Sequence, residues 1–92
     1  MAKLANKVRI KNRLGLHTRP ATEIVKLLQG SKSDVSFTYK RETVNAKSIL
    51  SILMLAVSKN AHITITVEGS DAEETMDKLL RAFDSSFGEI SH

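Results

Sequence analysis

The sequence has no cysteine and no tryptophan, a single proline, and aromatic residues at only 4% of its positions. Without cysteine there are no disulfides, no thiolate nucleophile and no cysteine-bound metal. The three histidines, His17, His62 and His92, show no short ligand spacing and no carboxylate pair accompanies them, so neither a metal nor another cofactor is expected. His62 reads as a solvent-side strand residue and His92 as a free terminus. No apolar run approaches the roughly 20 residues needed to cross a bilayer, so no membrane insertion is expected. Residues 1–7 lack the apolar centre of a secretory signal, and a cytoplasmic location is the expectation.

What is present is ordinary for a globular protein: 92 residues, 41% apolar and 26% charged, with no low-complexity tract. Domains usually hold about 100 to 150 residues, so residues 1–92 should form a single domain. The net charge of +4 is unevenly placed. Lys3, Lys7, Arg9, Lys11, Arg13, Arg19 and Lys26 precede residue 30 against Glu23 alone, whereas Asp71, Glu73, Glu74 and Asp77 cluster late. A basic half of this kind steers a protein toward nucleic acid, an anionic membrane or an acidic protein.

Periodicity supplies the elements. Lys7-Val8-Arg9-Ile10-Lys11 alternates as a half-buried strand does. Ala21, Ile24, Val25 and Leu28 recur at helical spacing, so a helix should run from Pro20 to Gln29 and end against a left-handed Gly30. Val35, Phe37 and Tyr39 mark a second strand, and a short turn leads into Thr43-Val44-Asn45, completing a hairpin. Ser48 can cap a second helix, which is unusual because only Ser51 is polar between Ile49 and Val57. Ala61, Ile63, Ile65 and Val67 make a clear strand ended by Gly69. Ser70 and Glu73 form a candidate capping box, followed by Ala72, Met76, Leu79, Leu80, Phe83 and Phe87 at helical spacing. The order β-α-β-β-α-β-α, with one apolar face per strand, predicts an α+β fold: one four-stranded antiparallel sheet with three helices on one side. Its first six elements follow the split βαβ arrangement of ferredoxin-like folds. RNA-binding domains share that order, but they stack bases on sheet aromatics within a Lys/Arg-Gly-aromatic pattern that is missing here, as is a GxxG clamp, so no nucleic-acid partner is expected.

The chemistry concentrates in residues 14–21. Proline is favoured at the first helical position, where its missing N–H would have no partner anyway, which places His17 at the helix mouth beside the backbone N–H groups of Thr18 and Arg19. A helix start is an anion site, and Arg19 adds a fork of donors suited to phosphate oxygens. An imidazole nitrogen aimed at such a site is a candidate phosphoryl acceptor. The alternative is a histidine that is just a surface residue or a local cap.

The string Gly15-Leu16-His17-Thr18-Arg19-Pro20-Ala21 closely resembles the active-centre motif of the HPr family, the histidine-containing phosphocarriers of the bacterial phosphotransferase system. The resemblance continues through Val44-Asn45-Ala46-Lys47-Ser48-Ile49-Leu50 and Ile63-Thr64-Ile65-Thr66-Val67-Glu68-Gly69, and covers residues 8–87. It implies the family's open-faced sandwich and a carrier rather than a free-standing enzyme. His17 would take a phosphoryl group on Nδ1 from enzyme I and pass it to an enzyme II A-type protein, with Thr18 and Arg19 holding the phosphate. It also implies that Ser48 matches the family's regulatory serine, a substrate of HPr kinase/phosphorylase in some bacteria. Ile49, Leu50 and Leu53, rimmed by Arg19 and Lys47, would dock acidic partners to a monomer. The family has a sugar-uptake branch and a nitrogen-related regulatory branch, and this chain resembles both. Leu14 within Asn12-Arg13-Leu14-Gly15, Ile52-Leu53-Met54-Leu55 and Phe83-Asp84-Ser85-Ser86-Phe87 favour the second; Asn45-Ala46-Lys47-Ser48 and Ala61-His62-Ile63-Thr64-Ile65 favour the first. Ala56 and Asn60 stand where sugar-branch members tend to hold glycine.

Overall fold

The structure, a computed structural model, describes residues 2–89. In chain order these form β1 (Ala2–Arg9), α1 (Thr18–Leu28), β2 (Asp34–Tyr39), β3 (Glu42–Asn45), α2 (Ile49–Met54), β4 (His62–Gly69), α3 (Ala72–Asp84) and a closing 3₁₀ turn, Ser86–Gly88. Period-two alternation builds the sheet's inner face. Ile63, Ile65 and Val67 of β4 and Val35 and Phe37 of β2 are buried, while His62, Thr64, Thr66 and Glu68 face the other way. All pairings are antiparallel, in the order β1-β4-β2-β3, with Val35 opposite Val67, Phe37 opposite Ile65 and Phe37 opposite Val44. The β1–α1–β2 unit is therefore split, with the last strand, β4, between its two strands. Helices cover the apolar face: Ile24 and Leu28 of α1, Ile52 of α2, and Met76, Leu79 and Phe83 of α3 close the core. Phe83 meets Phe37 edge-on, with ring centroids 5.8 Å apart.

Several elements differ from their sequence reading, each for a backbone reason. β1 starts at Ala2 rather than Lys7, because its ladder with β4 runs from Ala2 opposite Gly69 to Arg9 opposite His62 although most of its side chains are exposed. Ile10 lies beyond the strand but stays fully buried, held by its N–H to the Ala61 carbonyl at 2.8 Å and its carbonyl from the Asn60 N–H at 2.8 Å. The Ser70–Glu73 capping box does not form. Asp71 is the N-cap, and its carboxylate instead accepts from the Lys32 N–H at 2.9 Å and the hydroxyls of Ser31 and Ser33. Those bonds hold the Asp71 pKa at about 2, the Lys32 N–H and then the Ser33 hydroxyl being the main causes. Phe87 leaves the α3 helix and packs edge-on against Phe83, centroids 4.9 Å apart, from the 3₁₀ turn.

α2 is only six residues long. Leu55 and Val57, beyond its end, are buried, and between them Ala56 adopts φ +53°. Asn60 adopts φ +72°. Both positions therefore take the left-handed backbone that glycine occupies most cheaply, and asparagine tolerates it better than alanine does.

Candidate functional site

A turn places the histidine. Asn12 and Gly15 occupy its first and fourth positions, the preferred residues for a type I turn, and the Gly15 N–H donates to the Asn12 carbonyl at 2.9 Å. Gly15 has φ +67°, and a Cβ there would lie 2.0 Å from the Val57 carbonyl oxygen. Only glycine lets this loop press against the segment leaving α2, where Leu16 donates to the same Val57 oxygen at 3.0 Å. Leu16 enters the core and His17, the next residue, emerges as the N-cap of α1.

α1 starts two residues before Pro20, at Thr18, so proline sits in the third helical position rather than the first. It lacks an N–H that would otherwise seek a partner, and the first intrahelical bond is the Ala21 N–H to the His17 carbonyl at 3.1 Å. The Thr18 and Arg19 N–H groups are thus the free donors of this helix end. The His17 side chain makes no capping bond. Arg19 is exposed and, among the described residues, forms no ion pair.

The His17 ring is held from an unexpected direction. Its Nε2 lies 3.0 Å from Oε2 and 3.2 Å from Oε1 of Glu89, a contact spanning most of the chain. The Asn12 amide donates to Glu89 Oε1 and, at 2.9 Å, to the Ser86 carbonyl. Asn12 is fully buried, the Glu89 side chain is 17% exposed and that of His17 30%. Lys11 reinforces the same junction through Asp84 Oδ1 at 3.1 Å. Desolvation would push the Glu89 carboxyl up, but the hydrogen bonds from Asn12 and His17, with the electrostatic influence of the neighbouring His17 and Arg19, outweigh it and hold the carboxyl below its usual range. His17 Nδ1 has no hydrogen bond among the described residues. Glu89, Asn12 and Ser86 were missed in the sequence because no local pattern joins residue 12 to residues 86–89.

The other candidate residues fall on α2 and its approach. Ser48 is the N-cap and accepts from the Ser51 N–H at 3.2 Å. Lys47 is exposed and reaches the Ser31 carbonyl at 3.1 Å. Leu50 and Met54 are about 70% exposed, as is Leu14, and Ile49 is 37% exposed. Leu53 differs from the sequence reading: it is half-buried and packs on the core, because it lies beside the buried Ile52 face. His62 is exposed, whereas His92 lies outside the described residues. No group of three or more metal-ligating side chains occurs among the described residues, and no helix among them is long and apolar enough to cross a membrane.

An open-faced sheet with three helices on one side, carrying an outward-facing histidine at the mouth of the first helix, defines the architecture of the small histidine phosphocarriers. Known proteins bear this out. A family model described as PTS HPr component phosphorylation site matches residues 4–85. The chain is 48% identical to the phosphocarrier protein HPr of Chlamydia muridarum over 81 residues, covering 88% of this chain and 78% of that one. Its fold is similar to the crystal structures of HPr from Thermoanaerobacter tengcongensis (TM-score 0.88, 36% identity, 98% and 99% of the two chains) and Bacillus anthracis (TM-score 0.84, 37% identity, 90% and 99%). The chain belongs to the HPr family of phosphocarrier proteins of the phosphotransferase system.

Proposed function

We propose that the chain is a single cytoplasmic phosphocarrier domain in which His17 Nδ1 accepts a phosphoryl group from enzyme I, itself charged by phosphoenolpyruvate, and passes it to a histidine of an enzyme II A-type protein. The observation that carries this reading is His17 as the N-cap of α1, its Nε2 engaged by Glu89 and its Nδ1 without a hydrogen bond among the described residues, at a helix end whose Thr18 and Arg19 N–H groups have no intrahelical partner. In acceptance, the Nδ1 electron pair forms the P–N bond as the donor's bond to phosphorus breaks, and in donation the electrons return to Nδ1. Backbone donors and the Arg19 guanidinium orient the dianion while the exposed setting screens them, so the group is held without being trapped.

The exposed Ile49, Leu50 and Met54 side chains, with Lys47 just before them in the chain and Arg19 exposed on α1, suit brief docking: apolar contact excludes water and basic groups speed encounter with acidic partners. Leu53, half-buried against the core, adds its remaining exposed surface to that patch. Ser48, matched to the family's regulatory serine, is the proposed target of HPr kinase/phosphorylase, and phosphate there would oppose an acidic partner. The working unit is a monomer.

Incubation with enzyme I and phosphoenolpyruvate should yield acid-labile phosphate in wild type and none in His17→Ala. Acid-labile phosphate on His17→Ala overturns the assignment. Adding A-type proteins of each branch and following which one drains the label separates sugar uptake from nitrogen-related regulation.

A further inference from the structure

We infer that Glu89 is the positioning residue of His17: its carboxylate accepts the Nε2–H and keeps that nitrogen protonated through the carrier cycle, so that Nδ1 presents its electron pair whenever the ring is unphosphorylated. The inference rests on the reading of His17 as the phosphoryl acceptor. Three observations carry it.

The first is geometry. Both carboxylate oxygens lie within 3.2 Å of Nε2, whereas Nδ1 has no partner among the described residues. A neutral imidazole has one N–H and one lone pair, and the bond made by one nitrogen decides the character of the other. A carboxylate can only accept, so Nε2 carries the hydrogen and Nδ1 the lone pair.

The second is how the carboxylate is held. One amide of a fully buried Asn12 donates both to Glu89 Oε1 and to the Ser86 carbonyl, so the oxygen that meets the ring is itself fixed. The third is the backbone that delivers it. Ser86 and Phe87 both adopt φ +54° and Gly88 φ +78°, a run of left-handed residues that turns the chain back from α3 toward the loop before α1. Two non-glycine residues in that region are costly, and such strain persists only where surroundings enforce it. Here the Asn12 amide and the Phe83–Phe87 ring contact enforce it.

The proton accounting gives the arrangement its consequence. When Nδ1 takes the phosphoryl group from its donor, the donor's bond to phosphorus breaks with its electrons. The His17 ring becomes a phosphoimidazolium that keeps the Nε2 hydrogen against the Glu89 carboxylate. When the group moves on, the Nδ1–P electrons return to the ring, which leaves as neutral imidazole with the same hydrogen in place. No proton enters or leaves His17 in either direction, and the ring never departs as an imidazolate, a far poorer leaving group.

The experiment compares full-length wild type, Glu89→Gln and Glu89→Ala by two measurements: ring ¹⁵N and Nε2–H proton resonances of His17, and the second-order rate of phosphoryl acceptance from enzyme I charged with phosphoenolpyruvate. Wild type should show Nε2 protonated, with an observable, slowly exchanging proton. Glu89→Ala should lose that proton signal and accept phosphate roughly tenfold more slowly at a temperature where the variant is fully folded, its melting temperature falling only by what the lost carboxylate contacts contribute. Glu89→Gln, which keeps an acceptor but not the charge, should recover the proton signal and only part of the rate, since charge-assisted bonds are about twice as strong as neutral ones. Wild-type ring signals and rates in both variants overturn the inference, as does a rate loss that only tracks a fall in melting temperature with ring signals unchanged. Failure of the underlying reading has a different pattern: His17→Ala retains acid-labile phosphate, or wild type acquires none, and the role of Glu89 in transfer falls with it.

Discussion

Gly15 shows how much one residue can decide. A side chain there would meet the Val57 carbonyl oxygen at 2.0 Å while the backbone stayed left-handed, so Gly15→Ala must move the loop that carries His17. The backbone penalty alone is about 1 to 2 kcal/mol, and the clash adds to it. Gly15→Ala should therefore lose several degrees of melting temperature in a calorimetric scan and accept phosphate more slowly. Gly30→Ala is the control: it has φ +86° but open space around the missing Cβ, so it should pay the backbone cost and leave transfer unchanged. Ser48 decides less. Its hydroxyl caps α2, and Ser48→Ala should cost about 1 kcal/mol in denaturant unfolding. Ser48→Asp should fold normally but accept from enzyme I more slowly.

At the scale of the element, α2 sets buried and exposed apolar side chains side by side within two turns. Ile52 is fully buried and Leu50 about two-thirds exposed, although they stand two residues apart. Ile52→Ala should cost about 2 to 5 kcal/mol, as truncations of buried aliphatic residues do. Leu50→Ala should stay within about 0.5 kcal/mol of wild type, as surface substitutions do, yet raise the KM of enzyme I for this protein. Leu53, half-buried on the core, should show both effects in smaller measure. A Leu50→Ala variant with normal transfer kinetics would move the docking surface elsewhere, and the exposed Leu14 on the motif turn would be the next place to look.

Across the whole molecule, two carboxylates tie distant segments together and make stability depend on pH. Asp71 joins α3 to the loop of residues 31–33, and Glu89 joins the end of the described chain to Asn12 and His17. Both have folded pKa values below their ordinary ones, Asp71 at about 2 from 3.8. A depressed carboxyl stabilises the fold above its unfolded pKa, and that contribution disappears as pH falls through the folded value. For Asp71 the window runs from pH 3.8 down to about 2. Melting temperature should fall across it in wild type. Asp71→Asn should be less stable at neutral pH and flatter across the window, and an unchanged acid slope in that variant would show the contact to be unimportant.

The sequence alone determined the alternation that builds β2 and β4, the apolar stripes of α1 and α3, the left-handed Gly30 after α1, the Ser48 cap and the family motif around His17. These are local patterns, in which each residue's partner lies within a turn or a strand of it, and periodicity reports them directly. Only the tertiary structure decided the rest. The length of β1 came from its ladder with β4, and the loss of the Ser70–Glu73 box came from Asp71 turning to residues 31–33. The burial of Leu53 and the exposure of Leu50 and Met54 came from where α2 meets the core. The partner of His17 was the least legible of all. Glu89 lies 72 residues away and reaches the ring only because α3 packs on the sheet and the left-handed 3₁₀ turn folds back on Asn12, contacts that no local spacing encodes.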